Sequence, residues 1–311
     1  MIRIIAKLFA VSFVLSAFLY GAPVSAAPFQ TFVSSTGSSA NPCDAALPCA
    51  TIMEALNPIL SGGQITCLSP PGINDGLIVF SKSVTIDCPG ALLQSGALVG
   101  FVLQGNNQVF TIRNLTINGT AGSANAAIKV TGSGTLIIEN CVFENFASVS
   151  ALDIEPNGPF NLVVTNSRIS NSAAGVLIKP AAGGSVTATF DGVTIADNMG
   201  GGMKTDTTNG PVTVDISNST ITKNAGNGLN AVSGAGGPNM LNLSHDVIAS
   251  NGVAGIQANG IFAAALVDTT LLDSNATGAT SSVNSGRVIT YGTNRVLGIA
   301  GSGFTGSVPL Q

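Results

Sequence analysis

Charged side chains are rare in this sequence, and a few of them recur at nearly equal intervals. Only 8% of the 311 residues are Asp, Glu, Lys or Arg. The candidates for ligand binding are Lys129, Asp153, Lys179 and Lys204. A lysine beside a carboxylate could hold an extended sugar polymer, and a lysine whose pKa is brought near the operating pH could act as a general base. Both roles require a fold that places these residues on one face.

Two competing interpretations apply to the charged positions. Glu155 and Asp206 stand two residues after Asp153 and Lys204, so they would lie on the same face. The lysines could instead form ion pairs on that solvated face, each stabilising the fold by roughly 0.2–1 kcal/mol. A second strip is acidic and consists of Glu139, Asp191, Asp215 and Asp268. Ca²⁺ prefers such oxygen ligands, but these residues skip turns of the repeat described next. We therefore predict no metal site and no cofactor.

A repeat organises the chain from Phe110 to Asn224 and continues more weakly to Asn275. Each copy has two strand-like halves, and we call the residue that ends the first half the anchor. The anchors are Asn114, Asn140, Asn166, Gly192, Asn218, His245 and Thr269. Four successive intervals between these anchor positions are equal, the fifth is slightly longer and the sixth is shorter. A fixed period of about 26 residues indicates stacked supersecondary units.

Apolar residues alternate with polar ones within each copy, which is the period-two pattern of a strand. Equivalent residues in successive copies are alike, so strands one turn apart should lie parallel at about 4.8 Å. The sequence therefore predicts an all-β fold, a single-stranded right-handed parallel β-helix with about three short strands per turn.

The anchor asparagines predict a hydrogen-bonded amide ladder at a bend between strands. We expect Asn114, Asn140 and Asn166 to stack one turn apart with their side chains towards the axis, and Asn218 to continue the row beyond a break at Gly192. His245, the only histidine, stands in the same row as a ladder substitute, and a catalytic histidine is the alternative. A second row follows, with Asn145, Asn171, Asn198, Asn224, Asn251 and Asn275.

The chain begins with the features of a secretory signal peptide. Residues 4–20 are largely apolar, Arg3 precedes them, and small residues follow up to Ala27. We predict a signal peptide over 1–26, with an uncleaved N-terminal anchor as the alternative. Residues 27–60 should form a strand and a short capping helix, residues 61–300 the β-helix, and residues 301–311 a tail. The mature protein should be secreted or periplasmic and not integral to a membrane.

Export permits disulfides among the five cysteines. Cys43 and Cys49 flank a short loop, and Cys67 and Cys88 end two strand-like runs about one turn apart. We predict the pairs Cys43–Cys49 and Cys67–Cys88, with Cys141 free. Zinc is the alternative, but it would require closer cysteine pairs and partner histidines.

The repeat resembles the right-handed parallel β-helix, or pectate-lyase-like, superfamily. The segments GSSANPCDAALPCATIMEAL and TYGTNRV are similar to those of uncharacterised secreted bacterial β-helix repeat proteins. The superfamily includes pectate lyases, polygalacturonases, epimerases, phage tailspikes and adhesins, so the fold alone does not select a function.

Catalytic motifs of the superfamily are missing from the sequence. Polygalacturonase-like enzymes carry Asn-Thr-Asp, Asp-Asp, Gly-His-Gly and Arg-Ile-Lys, and none of the four occurs here. No arginine stands in the Arg-x-Pro-x-x-Arg context of pectate lyases. We therefore predict no catalytic residue and an exported structural or binding protein, with an extended polysaccharide as the expected partner. A polysaccharide lyase or glycoside hydrolase with an unrecognised site is the alternative. With a net charge of −4 and no basic patch, nucleic acid is not an expected partner.

Overall fold

The computed structural model describes residues 27–69, 72–73, 76–94, 100–119, 126–298 and 303–309. The predicted signal peptide, residues 1–26, lies outside this part of the chain. The described residues contain one helix, α1 (Ile52–Leu56). The strands of the first half are β1 (Gln30–Val33), β2 (Gly63–Cys67), β3 (Gly72–Ile73), β4 (Leu77–Phe80), β5 (Val84–Gln94), β6 (Gly100–Leu103), β7 (Gln108–Asn118), β8 (Ile128–Val130), β9 (Gly134–Glu139), β10 (Val142–Glu144), β11 (Ser150–Ile154), β12 (Pro159–Thr165), β13 (Arg168–Ser170) and β14 (Ala174–Ile178).

The second half continues without a further helix among the described residues. Its strands are β15 (Ser185–Asp191), β16 (Thr194–Ala196), β17 (Met203–Asp206), β18 (Val212–Ser217), β19 (Thr220–Thr222), β20 (Leu229–Val232), β21 (Asn239–Ser244), β22 (Val247–Ala249), β23 (Ala254–Asn259), β24 (Ala263–Asp268), β25 (Leu271–Asp273), β26 (Gly278–Val283), β27 (Arg287–Thr290), β28 (Arg295–Leu297) and β29 (Gly306–Ser307).

These strands stack into a parallel β-helix, which confirms the predicted all-β solenoid. Each turn contributes a long strand, a short strand and a third strand on the opposite side. The first two stacks form one 20-stranded sheet because β5 and β7 run through both, and the third stack is a separate nine-stranded sheet ending at β4 and β26. Along the repeat, Leu162 pairs with Leu136 on one side and with Ala188 on the other.

The core runs along the axis between the two sheets. Inward residues of each strand, such as Ile112, Ile138 and Val164, are buried. Phe80 packs edge-to-face against Phe101, with ring centroids 5.1 Å apart. Burying an aliphatic or aromatic side chain of this size contributes roughly 1.5–3 kcal/mol, so the stacked apolar rows explain why the strands hold this register.

Both predicted disulfides are present. Cys43 bonds to Cys49 and Cys67 bonds to Cys88. The remaining cysteine, Cys141, is free and buried, and burial raises the pKa of its thiol to about 11. The thiolate is the reactive form, so Cys141 is a packing residue. The two disulfides suggest an oxidising, extracellular environment.

Helix α1 begins at a capping box. Thr51 Oγ1 accepts a hydrogen bond from the Glu54 amide at 3.2 Å, and Glu54 Oε2 accepts one from the Thr51 amide at 3.1 Å. Ile52, Ala55 and Leu56 are buried. The helix therefore lies against the core near the first turn, while its role as the cap of the solenoid stays a prediction.

The anchor positions lie at a bend, as predicted, but the predicted direction of their side chains is wrong. Every anchor has a positive φ, from 44° at Thr269 to 65° at Gly192. Asn140, Asn166, Asn218 and His245 are exposed and Asn114 is half-buried. Asn tolerates the left-handed conformation better than most residues. The bend, rather than an inward ladder, explains why asparagine recurs there.

Hydrogen bonds of the anchor side chains are mostly to acidic neighbours. Asn140 Nδ2 donates to Asn114 Oδ1 at 3.3 Å, whereas Asn114 and Asn218 donate to Asp87 and Asp191 at 2.8 and 2.7 Å. His245 Nδ1 contacts Ser244 Oγ at 2.7 Å.

The buried amide ladder belongs to the second row. Asn198, Asn224, Asn251 and Asn275 are at most 2% exposed. Their amides donate to the next Oδ1 at 2.8, 3.0 and 2.9 Å, from Asn198 through to Asn275. Asn145 and Asn171, predicted to share this row, are bend residues with φ of 66° and 53°. The ladder therefore occupies the later turns only.

Candidate functional site

The nine-stranded sheet carries the predicted charged positions on its outer surface. Its register aligns Lys129 with Asp153, Asp153 with Leu177, and Leu177 with Lys204. Asn230 and Gln257 continue the row. Lys129 points outwards because its neighbours Ile128 and Val130 fill the core. Lys179 follows the end of β14, so it lies in the adjacent row with Glu155 and Asp206.

Lys129 lies between two carboxylates of this face. Its Nζ is 2.7 Å from Asp153 Oδ2 and 2.8 Å from Glu155 Oε2. Burial lowers the pKa of Lys129, but the hydrogen bonds and charges of the two carboxylates outweigh it and raise that pKa. Burial raises the pKa of Asp153, against the effect of Lys129. Lys129 is therefore held as an ammonium ion, which disfavours a role as general base.

Lys204 is held more loosely. Its Nζ lies 3.4 Å from Asp206 Oδ2. The other carboxylate oxygen of Asp206 accepts hydrogen bonds from the amide and the hydroxyl of Thr208, at 3.0 and 2.6 Å. Burial alone would raise the pKa of Asp206, but the bonds from Thr208 and the charge of Lys204 lower it. The Lys204 ammonium is half-exposed and can reach a ligand.

A groove with a volume of about 400 Å³ opens beside Lys204. It is lined by Ser150, Ala174, Val176, Leu177, Gly201, Met203, Lys204, Gly226, Asn227 and Asn230. The groove exists because glycines precede β17 and β20, where larger side chains would fill it. A Cβ added to Gly226 would lie 3.0 Å from the Gly201 amide nitrogen. The floor is thus mainly apolar, with an ammonium and two amides at its edge.

Two polar atoms of the row have no hydrogen-bond partner within the described structure. They are Asp153 Oδ1 and Asn230 Oδ1, and both are buried. Buried acceptors without a partner cost about 1–3 kcal/mol. Asn230 lines the groove, and its unpartnered Oδ1 is buried in the groove wall.

Of the groove residues, sequence reasoning selected Lys204 but not Asn227, Asn230 or Met203. The row was searched for charge, and Asn227, Asn230 and Met203 carry none. A usable signal was present in the glycine-rich stretches 200–202 and 226–228, which leave space above the strands that follow.

The acidic strip lies on the 20-stranded sheet. Most of its carboxylates already bond to neighbouring side chains of the protein. Arg113 pairs with Asp87 at 3.2 Å and approaches Glu139 at 3.8 Å. Asp215 accepts from Asn242 Nδ2 at 2.7 Å. A second depression of about 390 Å³ includes Asp215, Asp268 and Tyr291 in its lining. In the part of the chain that is described, no three His, Cys, Asp or Glu side chains gather as a metal site would need.

A membrane-spanning helix is not found among the described residues, since none of the helical segments there has the necessary length and hydropathy.

Comparison with known proteins agrees with the architecture. No curated protein matches the sequence. One similar solved structure is the crystal structure of pectate lyase Pel9A. Its sequence is 16% identical, the TM-score is 0.58, and the match covers 90% of this chain and 78% of that chain. A rhamnogalacturonan lyase is 14% identical, with a TM-score of 0.50, over 84% of this chain and 75% of that one. At such identities the likeness shows the fold alone.

The family assignment comes from sequence. A family model described as a right handed beta helix region matches residues 99–271, which is more than half of the chain. The matched span includes the nine-stranded sheet from β6 to β23, with the charged row and the groove. The chain belongs to the right handed beta helix family.

Proposed function

We propose that this chain is an exported β-helix protein that binds an extended polysaccharide along the outer face of the nine-stranded sheet. The observation that carries the proposal is the groove beside Lys204. It combines an accessible ammonium ion, an unpartnered acceptor on Asn230 and an apolar floor. Apolar surface with a few placed polar groups is the usual composition of a ligand site.

The geometry of the row suits a polymer better than a small molecule. Lys129, Asp153, Leu177, Lys204, Asn230 and Gln257 lie on successive turns, so the row is roughly 24 Å long at about 4.8 Å per turn. Lys129 with its two carboxylates forms a charged rim at one end of the row, and the groove occupies the middle of it, between Leu177 and Asn230. An extended chain crossing the strands would meet both.

Catalysis is the second candidate, and its support is the likeness to two solved lyase structures. The fold alone cannot carry that argument at 14% and 16% identity. The described residues also offer no cluster for a metal ion, and Lys129 stays protonated beside Asp153 and Glu155. Binding without turnover is therefore the function that the site supports best.

The test is binding of pectate and rhamnogalacturonan, the polymers suggested by the two structural neighbours, with a neutral glucan for comparison. Lys204→Ala and Asn230→Ala should each weaken binding roughly 3- to 10-fold, the equivalent of one hydrogen bond. Lys129→Ala should have a smaller effect because Asp153 and Glu155 already neutralise that ammonium. Calorimetry with the purified protein measures all three.

The matched control is Lys223→Ala, which removes an exposed lysine from a bend of the 20-stranded sheet. It should bind like the wild type. Equal affinities for Lys204→Ala, Asn230→Ala and the wild type would overturn the assignment of the groove. Release of unsaturated products or new reducing ends by the wild type, lost in Lys204→Ala, would show that the enzymatic alternative is correct.

A further inference from the structure

Exposed large apolar side chains concentrate at the two ends of the solenoid. Within the described residues, five lie between positions 29 and 68 and six between 261 and 308, while the much longer stretch between them has four. Single exposed apolar residues are normal on a protein surface. A concentration of them in one place is typical of an interaction site.

The N-terminal end surface consists of Asp44, Leu47, Met53 and Glu54. The loop between Cys43 and Cys49 lies against the outer edge of β1, since the Phe32 amide donates to Cys43 O and the Cys49 amide donates to Phe32 O, both at 2.9 Å. This loop therefore precedes the first strand along the axis, and α1 contacts that strand through the hydrogen bond from Thr31 Oγ1 to Ala55 O at 3.1 Å. No lysine or arginine occurs between residues 27 and 68. The ammonium of Lys82 lies nearby, 2.6 Å from Ile59 O, so the two carboxylates outnumber it and this end is acidic.

The C-terminal end surface consists of Arg287, Arg295, Val296, Leu297 and Val308. In the described structure, β28 pairs with β25 alone and β26 with β23 alone, so both strands end their stacks. All three residues of β28 are exposed. Arg287 and Arg295 are the charged residues between Thr277 and Gln311, so the last turn is basic. The nearest carboxylates, Asp268 and Asp273, belong to the turn before it. Neither arginine forms an ion pair with a described residue.

We propose that these two surfaces bind each other in successive copies of the chain, so that the protein associates head to tail. Opposite charge and exposed apolar surface meet in this arrangement. Pairing of like ends would instead bring two acidic or two basic surfaces together, which is unfavourable. A head-to-tail contact does not close on itself when the copies share an axis, so it generates a linear chain of subunits. This inference does not depend on the proposed ligand.

The experiment measures the mass of the purified exported protein by light scattering and sedimentation across concentration and salt. The wild type should form a concentration-dependent series of oligomers that weakens at high salt, because the end charges are exposed to screening. Leu47→Arg adds a cation to the acidic N-terminal end surface, and Val296→Glu adds a carboxylate to the basic C-terminal end surface. Each variant should weaken association at least about tenfold.

A mixture of the two variants identifies the geometry. Leu47→Arg keeps an intact C-terminal end and Val296→Glu keeps an intact N-terminal end. An equimolar mixture should therefore restore at least a two-chain species that neither variant forms alone. If one variant alone affects association, like ends pair and the proposal is wrong. A mixture that remains monomeric also contradicts it.

Folding does not confound the result. Leu47 and Val296 are 52% and 46% exposed, so the substitutions leave the core intact. Met199→Arg and Val109→Glu make the same chemical changes at exposed positions in the middle of the solenoid. These two controls should associate like the wild type. A wild type that stays monomeric up to about 100 µM, where weak interfaces already associate, would overturn the proposal.

Discussion

Two rows of asparagine run along this solenoid, and they serve different purposes. The anchor row is largely exposed and has positive φ throughout the described turns, whereas the row from Asn198 to Asn275 is buried and hydrogen-bonded from turn to turn. In the later turns each ladder residue directly follows a bend residue, as Asn224 follows Lys223, whose φ is 56°. Asparagine thus adopts the left-handed backbone conformation of the bend in the anchor row, and it forms the turn-to-turn hydrogen bonds in the buried row.

The largest effect should come from the buried row. Asn224 Oδ1 accepts from the Asn198 amide side chain at 2.8 Å and from its backbone at 3.2 Å, and Asn224 Nδ2 donates to Asn251 Oδ1 at 3.0 Å. Asn224→Ala leaves these buried groups without partners, so we expect a loss of about 3 kcal/mol in the free energy of unfolding.

Denaturant unfolding followed by circular dichroism measures this loss. The control is Asn140→Ala in the anchor row, which removes the same amide from an exposed bend. Comparable losses for the two variants would show that the buried row has no special role.

An intermediate effect, dependent on pH, should come from Asp246. This residue follows His245, is 2% exposed, and accepts from the backbone of Ser219 and Ser244 at 2.8 and 3.0 Å. Burial raises its pKa from 3.8 to about 6, although both backbone bonds and His245 oppose the shift. The folded state therefore binds more protons than the unfolded state between these values, and stability should fall as pH rises from about 4 to about 6.

Comparison with Asp246→Ser isolates this contribution, because Ser219 and Ser167 fill the same position in other turns and accept the equivalent backbone bond. The difference in pH dependence between the two proteins should amount to about 2 kcal/mol. Thermal unfolding between about pH 4 and 7 provides the measurement. Parallel curves for wild type and variant would show that Asp246 does not titrate in this range.

The smallest effect should come from the anchor row. Asn140 has a φ of 53°, a conformation that costs an alanine roughly 1 kcal/mol or more. Asn140→Ala should therefore lose about 1 kcal/mol, while Asn140→Gly should remain close to the wild type. Gly192 already occupies this position in another turn, with a φ of 65°.

Denaturant midpoints of the two Asn140 variants provide this measurement. A glycine variant as unstable as the alanine variant would show that the side chain, and not the backbone conformation, matters at the bend.

The regular period of the sequence was enough to predict the fold, the register of the strands and the Cys67–Cys88 disulfide, while the Cys43–Cys49 pair was predicted from the short loop between those cysteines. Strand alternation sorted Lys129 and Asp153 to the outer face, because their apolar neighbours had to fill the core. The direction of the anchor side chains could not be predicted in this way. Asparagine is favoured both at left-handed bends and in stacked ladders, and sequence does not distinguish the two uses.

The groove was not predicted from the sequence, because it lies beside glycines, which have no side chain to signal it. Gly201 and Gly226 leave the space, and the uncharged Asn230 and Met203 line it. A search for charge found Lys129 at the rim and Lys204 beside the groove, but not the uncharged residues that line the rest of it. The choice of Lys129 as the ion-pair partner of Glu155 depends on side-chain rotamers, which a repeat pattern does not encode.

The parallel stacking of like turns bears on how such a chain can evolve. Each turn packs against the turn before it and the turn after it, and no strand of the described residues closes the structure into a barrel. Duplication or deletion of one whole repeat would preserve every neighbouring register. The last two intervals between anchors, one longer and one shorter than the rest, show that small changes of length are absorbed at the corners. The number of turns can therefore change during evolution by whole repeats, and the length of the outer face changes with it.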